Sequence, residues 1–187
     1  ILLKKQKLIY NDFLFLTYVH YNCNDKTLFI MKLTVNQALQ LAITADKENK
    51  LQEAEKLYRF ILETQPTNLY ANNNLGALMF KLGKFDEAEV NYKKTIEFKP
   101  DYSDAHYNLG NTLYILNKLD ESVASYKKTI ELNPDYAAAH NNLGNPLLKL
   151  NKLDEAKVSV KKAIELNPDY IDAYYNLGII CYELGKF

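Results

Sequence analysis

The chain has 187 residues, 48% apolar and 25% charged, the composition of an ordinary globular protein. Lys and Arg number 23, and so do Asp and Glu; a formal net charge of zero gives no general attraction to nucleic acid or to an anionic membrane. The two cysteines, Cys23 and Cys181, stand far apart in unlike contexts, which argues against a disulfide framework or a zinc site and fits a reducing compartment, the cytoplasm.

Residues 1–30 differ in kind from the rest. They are mostly Ile, Leu, Lys, Asn, Phe and Tyr, and contain no Ala, Gly, Glu or Pro. AT-rich codons specify those six frequent residues, and the character of the sequence changes at Met31. The segment reads as a non-native or disordered N-terminal extension, with Met31 as the natural start. An amphipathic helix that caps the following unit is the alternative. The apolar run from Leu8 to Val19 holds Asn11 and Asp12, is too short for the ~20 residues a bilayer requires, and lacks a small-residue cleavage pattern.

From residue 35 onward the sequence repeats itself. Pro66, Pro100, Pro134 and Pro168 are 34 residues apart, and other columns keep that period. Leu41, Leu75, Leu109, Leu143 and Leu177 form one, followed directly by Ala42, Gly76, Gly110, Gly144 and Gly178. Ala54, Ala88, Ser122 and Ala156 form a small column; Tyr58, Tyr92, Tyr126 and Val160 form a mostly aromatic one. Between prolines the apolar residues fall at helical spacing: Leu109, Leu113 and Leu116 in one stripe, Leu119, Val123, Tyr126 and Ile130 in another. The break between stripes, "LGKFD" or "LNKLD", supplies a Gly or Asn to end a helix. Asp86 and Glu87, Asp120 and Glu121, or Asp154 and Glu155 then complement the dipole of a second helix, each worth about 0.3–1 kcal/mol. Pro134 stops that helix, and Asp135 is positioned to cap the next. Each unit is thus two antiparallel helices, with the Gly and small columns allowing close approach and the aromatic column filling volume between units.

These columns and their period resemble the tetratricopeptide repeat. The resemblance covers repeats 35–68, 69–102, 103–136 and 137–170 and a partial repeat 171–187, so that 31–187 is one repeat domain. It implies an all-α fold, a right-handed superhelical solenoid of stacked helix pairs. There are departures. The family usually has a Trp early in the first helix, where this chain has Ala38, Asn72, His106, His140 and Tyr174. Val160 is expected to pack less well than Tyr. Pro146, where other repeats have Leu78, Thr112 and Ile180, crowds the carbonyl of Asn142 at about 3 kcal/mol and predicts a kinked or locally broken first helix; a recent mutation or an error is an open alternative.

No catalytic constellation is present, and no cofactor or metal is expected. His106 and His140 occupy one column of adjacent repeats, a helix-packing distance of ~8–10 Å apart, too far to share an ion. Cys181 stands where Met79, Leu113 and Leu147 stand and reads as a buried apolar residue. Each pair Lys93–Lys94, Lys127–Lys128 and Lys161–Lys162 has Glu97, Glu131 or Glu165 one turn on, which predicts helix-surface ion pairs on an outer face, without nucleic acid.

One column asks for more. Asn74, Asn108, Asn142 and Asn176 each precede the Leu–Gly pair, with Asn73, Asn111, Asn141 and Asn145 nearby. Asn is a mediocre helix former, but its amide can pair with both polar groups of a peptide bond. Such spacing resembles the asparagine ladder in the repeat arm of the protein O-GlcNAc transferases, where first helices line a concave groove; a neutral Asn copied by duplication is the alternative. The expected groove comprises Asn74, Asn108, Asn142, Asn176, Tyr107, Asn111, Tyr114 and Tyr175, with Tyr182 beside them and the amides largely solvent-facing. The resemblance implies a non-enzymatic module that binds an extended peptide or partner protein. Two other readings stand beside it: the substrate-recruiting arm of a glycosyltransferase or sulfotransferase, as in bacterial repeat arms of this style, and a spacer in an assembly. The chain starts with Ile1 and stops inside a unit, so it reads as a fragment. Leu177, Ile180, Cys181 and Leu184 of its last helix are expected to expose an apolar face that favours self-association.

Overall fold

The computed structural model describes residues 8–10, 13–22 and 27–185. The expected extension, residues 1–30, falls partly outside them, as do Cys23 and the last two residues of the partial repeat. The chain divides into two compact units, Ile1–Leu78 and Met79–Phe187.

The first unit opens with three strands, β1 (Leu8–Tyr10), β2 (Phe13–Asn22) and β3 (Thr27–Thr34). They form an antiparallel sheet in the order β1-β2-β3, with Tyr18 opposite Met31 and Phe15 opposite Thr34. A capping helix was the sequence alternative for this stretch; strands stand there instead, and β3 runs through Met31 without a break. Thr34 ends β3 and starts α1 (Val35–Lys47): its hydroxyl accepts from the Gln37 N–H at 3.2 Å, and Gln37 accepts from the Thr34 N–H at 2.9 Å. This capping box satisfies two donors that a helix start leaves open. α2 (Leu51–Thr64) packs on α1, and α3 (Leu69–Lys81) runs across the division between the units. Ala38 and Ala42 of α1 and Ala54, Leu57, Tyr58 and Ile61 of α2 are buried.

Among the described residues the elements of the second unit are helices: α4 (Phe85–Phe98), α5 (Ser103–Ile115), α6 (Leu119–Leu132), α7 (Ala137–Lys149), α8 (Leu153–Leu166) and α9 (Ile171–Glu183). The all-α repeat solenoid therefore holds from Val35 on. Gly83, Asn117 and Asn151 turn the chain between paired helices with φ of 73°, 59° and 58°, the left-handed conformation that Gly and Asn adopt most readily. The acidic pairs stand in the first turns of α4, α6 and α8 as the dipole argument requires.

Two glycines of the column lie at close contacts between helices. A Cβ on Gly110 would lie 2.8 Å from the Tyr126 ring, and one on Gly144 would lie 2.5 Å from Val160 Cγ2. Val160, expected to pack loosely, is fully buried and as near its glycine as Tyr126 is. Ser122 is buried too, and donates to the Gly110 carbonyl at 2.8 Å.

Two local expectations need correction. Asp135 does not cap α7. The N-caps of α5, α7 and α9 are Tyr102, Tyr136 and Tyr170, with no side-chain cap bond, because the helices begin one residue later than an Asp cap would place them. Nor does Pro146 break α7, which is 13 residues long like α5 and α9. The proline lies near the helix end and is buried, and beyond it the ladder resumes: Leu150 donates to the Pro146 carbonyl at 3.0 Å. What α7 loses is the one bond to the Asn142 carbonyl that a proline cannot donate.

Candidate functional site

The column that replaces the family's Trp has its own role. His106 Nε2 lies 2.9 Å from the Pro100 carbonyl, and His140 Nε2 lies 2.9 Å from the Pro134 carbonyl. A carbonyl only accepts, so the proton sits on Nε2. Asn72 reaches the Pro66 carbonyl in the same way, at 2.9 Å. Each side chain ties the start of a first helix to the loop before it. Sequence reasoning missed this, although the signal was present: a polar residue six positions after each proline.

The asparagines are joined to one another across repeats. Asn176 on α9 donates to Asn141 Oδ1 at 2.9 Å, and Asn141 donates to Asn142 Oδ1 at 3.1 Å. Asn142 donates to Asn111 Oδ1 and to the Tyr107 hydroxyl, both at 3.0 Å, and the Tyr126 hydroxyl donates to Asn111 at 2.7 Å. A single directional chain thus runs Asn176, Asn141, Asn142, Asn111 along α9, α7 and α5. This corrects the expectation of solvent-facing amides: Asn142 and Asn176 are half-buried and spend N–H donors within the protein. Asn74, in the first unit, is half-buried and hydrogen-bonded to Tyr58, whose hydroxyl burial pushes up to about 12, with Asp46 adding and the Asn74 bond opposing. Asn108 is also half-buried, and among the described residues no side-chain bond takes up its amide. Asn73 Oδ1 is buried with no hydrogen-bond partner among the described residues, which nothing in the structure explains.

The tyrosines divide into two kinds. Tyr107 stacks on Tyr136, centroids 4.9 Å apart, and leans on Tyr126, so its ring is committed to packing. Lys149 Nζ covers the Tyr114 ring at 4.4 Å. Tyr175 and Tyr182 are 70% and 69% exposed. Burial pushes the Tyr136 hydroxyl up to about 12, helped by the Asp104 carboxylate beside it.

The lysine pairs take part in ion pairs. Lys128 meets Glu131 at 2.7 Å and Lys162 meets Glu165 at 3.2 Å, as expected. Lys93 departs from the pattern: it meets Glu89 at 2.6 Å and Glu121 of the next second helix at 3.6 Å, rather than Glu97. Between α6 and α8 lies a cavity of about 710 Å³, floored by His140, Leu143 and Leu147 of α7, with Ile130 and Val158 on its walls and the Lys127–Glu155 pair on its rim. No group of His, Cys, Asp and Glu among the described residues is arranged to hold a metal, and no helix among them is long and apolar enough to cross a membrane.

A family model described as TPR repeat matches the chain at 79–115, 110–151 and 144–185, together more than half of its length. The chain belongs to the tetratricopeptide repeat family. Several solved structures share the TPR fold. A MamA protein has a TM-score of 0.77 at 22% identity, over 81% of this chain and 83% of that one. YrrB, described as a TPR protein with an unusual peptide-binding site, has 0.72 at 23%, over 80% and 77%. The first TPR of Spaghetti (RPAP3), bound to the HSP90 peptide SRMEEVD, has 0.61 at 27%, over 63% and 93%. No curated protein matches the sequence. Neither the family match nor these structures names a transferase.

Proposed function

We propose that this TPR chain is a non-catalytic binding module of the cytoplasm, which takes an extended peptide or partner segment along the first-helix face of α5, α7 and α9. The observation that carries it is the hydrogen-bonded row from Asn111 to Asn176. It holds three successive first helices in register and presents a polar face whose geometry is set before a ligand arrives, which reduces the ordering cost of binding. Asn108 and the remaining polar atoms of Asn176 and Asn111 are the groups suited to a peptide backbone. Tyr175 and Tyr182 offer exposed rings beside them, whereas Tyr107, Tyr114 and Asn142 support the face from within. Asn74 carries the same column in the first unit. Peptide binding by the RPAP3 repeat supports this use of the fold.

The test is fluorescence anisotropy with a labelled library of extended peptides. A peptide that binds the parent chain should bind the Asn108→Ala, Asn176→Ala double variant at least about tenfold more weakly, the equivalent of losing one or two hydrogen bonds. Equal affinity for both proteins, or no binding from any peptide, would reject the proposal.

A further inference from the structure

We propose that the cavity between α6 and α8 is a second binding site, which takes a small organic amine: an apolar body that carries a protonated ammonium head. The cavity lies within the second unit, and its helices are flanked on both sides, by α5 and by α9. Its volume of about 710 Å³ falls in the range of small-ligand sites, roughly 300–1,000 Å³. The floor is apolar, formed by Leu143 and Leu147 of α7. Ile130 of α6 and Val158 of α8 continue that surface up the walls, and Val158 is 70% exposed, so apolar area remains for a ligand to cover. No residue of the lining belongs to the asparagine row, so the site stands or falls apart from peptide binding.

The polar groups of the lining select the head. Its two lysines are already engaged: Lys127 meets Glu155 at 3.4 Å and Lys162 meets Glu165 at 3.2 Å. Asp154 adds a third carboxylate, which has no partner among the described residues. The lining therefore holds one more carboxylate than lysine. Its neutral groups add acceptors rather than donors. Ser159 is buried and gives its hydroxyl proton to the His140 carbonyl at 2.8 Å, which leaves its lone pairs. His140 gives its Nε2 proton to the Pro134 carbonyl at 2.9 Å, which leaves Nδ1 as an acceptor in the neutral ring. An ammonium supplies the three N–H donors and the positive charge that complement such a lining. A carboxylate or phosphate head would instead face the unpaired Asp154. The apolar body is required as well, because an exposed ion pair by itself holds a hydrated cation only weakly.

The experiment is an ¹⁵N-resolved NMR titration of the 187-residue chain at neutral pH and low salt, with 4-phenylbutylamine and 4-phenylbutyrate as probes of like body and opposite charge. The expected result is saturable shifts at the amides of α6, α7 and α8, with the amine bound at least about tenfold more tightly than the acid. Val158→Arg sets a cation on the apolar wall and should weaken the amine at least about tenfold; Asp154→Asn should weaken it at least about threefold and bring the two probes closer together. Both positions are exposed, and the same spectra report whether each variant is folded. The proposal is overturned by an amine that gives no saturable shifts or shifts only elsewhere in the chain. It is overturned equally by an acid that binds as tightly as the amine, or by unchanged affinity for the amine in either variant.

Discussion

Asn108 and Asn142 occupy the same column but have unlike consequences when changed. Asn142 donates two hydrogen bonds to the neighbouring first helix. Asn142→Ala should therefore lower stability by about 1–3 kcal/mol in a urea melt, through the lost bonds and the acceptors left half-buried. Asn108→Ala should leave the midpoint unchanged or slightly raised, since Ala is the better helix former. Equal losses in the two variants would mean that the row is not what joins the helices. Pro146 makes a second case. In α5 the equivalent Thr112 is buried, and its hydroxyl donates to the Asn108 carbonyl at 2.8 Å. Pro146→Thr restores an N–H and offers the same hydroxyl to the Asn142 carbonyl, and should raise stability by roughly 1–3 kcal/mol. A melt showing no gain would mean that the buried ring already compensates for the missing bond. The periodicity of both columns is plain in the sequence. That the amides bond to each other is not, because it depends on which side chains of different repeats face one another.

At the scale of the element, the glycines separate packing from propensity. Gly110→Ala places a methyl against the Tyr126 ring and should destabilise by about 1–3 kcal/mol, as overpacking does. Gly178→Ala meets open space and should stabilise by about 0.5–1 kcal/mol in dilute protein, because Ala loses less backbone entropy in a helix. Opposite signs from one sequence column, read by circular-dichroism melting, would establish that the neighbouring helix and not the residue type decides. The last helix shows the same dependence. Leu177, Ile180 and Leu184, expected on its open face, pack against the preceding repeats, Ile180 fully buried, while Cys181 is half-covered. Helical spacing gives the faces but not which neighbour covers each of them.

Along the second unit, consecutive second helices are joined by ion pairs. Glu89 of α4 receives Lys93 at 2.6 Å and Lys118, at the start of α6, at 2.8 Å; Lys127 of α6 reaches Glu155 of α8 at 3.4 Å. Glu89 is buried. Burial alone would raise its carboxyl pKa, but the hydrogen bonds and charges of Lys118 and Lys93 outweigh this and hold it below the usual carboxylate value of 4.5. A carboxyl depressed in the folded state contributes stability above its unfolded pKa and loses it as pH falls through the folded one. The parent chain should therefore lose stability as pH drops below about 4.5, and Glu89→Gln should remove part of that acid dependence while lowering stability near neutrality. Urea midpoints measured from acid to neutral pH check it; identical profiles for parent and variant would refute the role.

The sequence by itself determined the repeat period, the helix pairs from residue 35 on and the turns at Gly83, Asn117 and Asn151, because each follows from local periodicity or from a backbone conformation that few residues adopt. It did not foresee the strands from Leu8 to Thr34, whose pairing is set by contacts between segments and not by the composition that made this stretch look foreign. Only the tertiary structure decided that His106 and His140 tie down proline carbonyls, that the asparagines pair across repeats, and that Tyr107 is committed to packing while Tyr175 is exposed. The asparagine bonds between repeats join residues 31 and 35 positions apart. Chain periodicity brings such residues to the same height in neighbouring repeats, but the packing distance and rotation of the helices decide which atoms come within hydrogen-bonding reach.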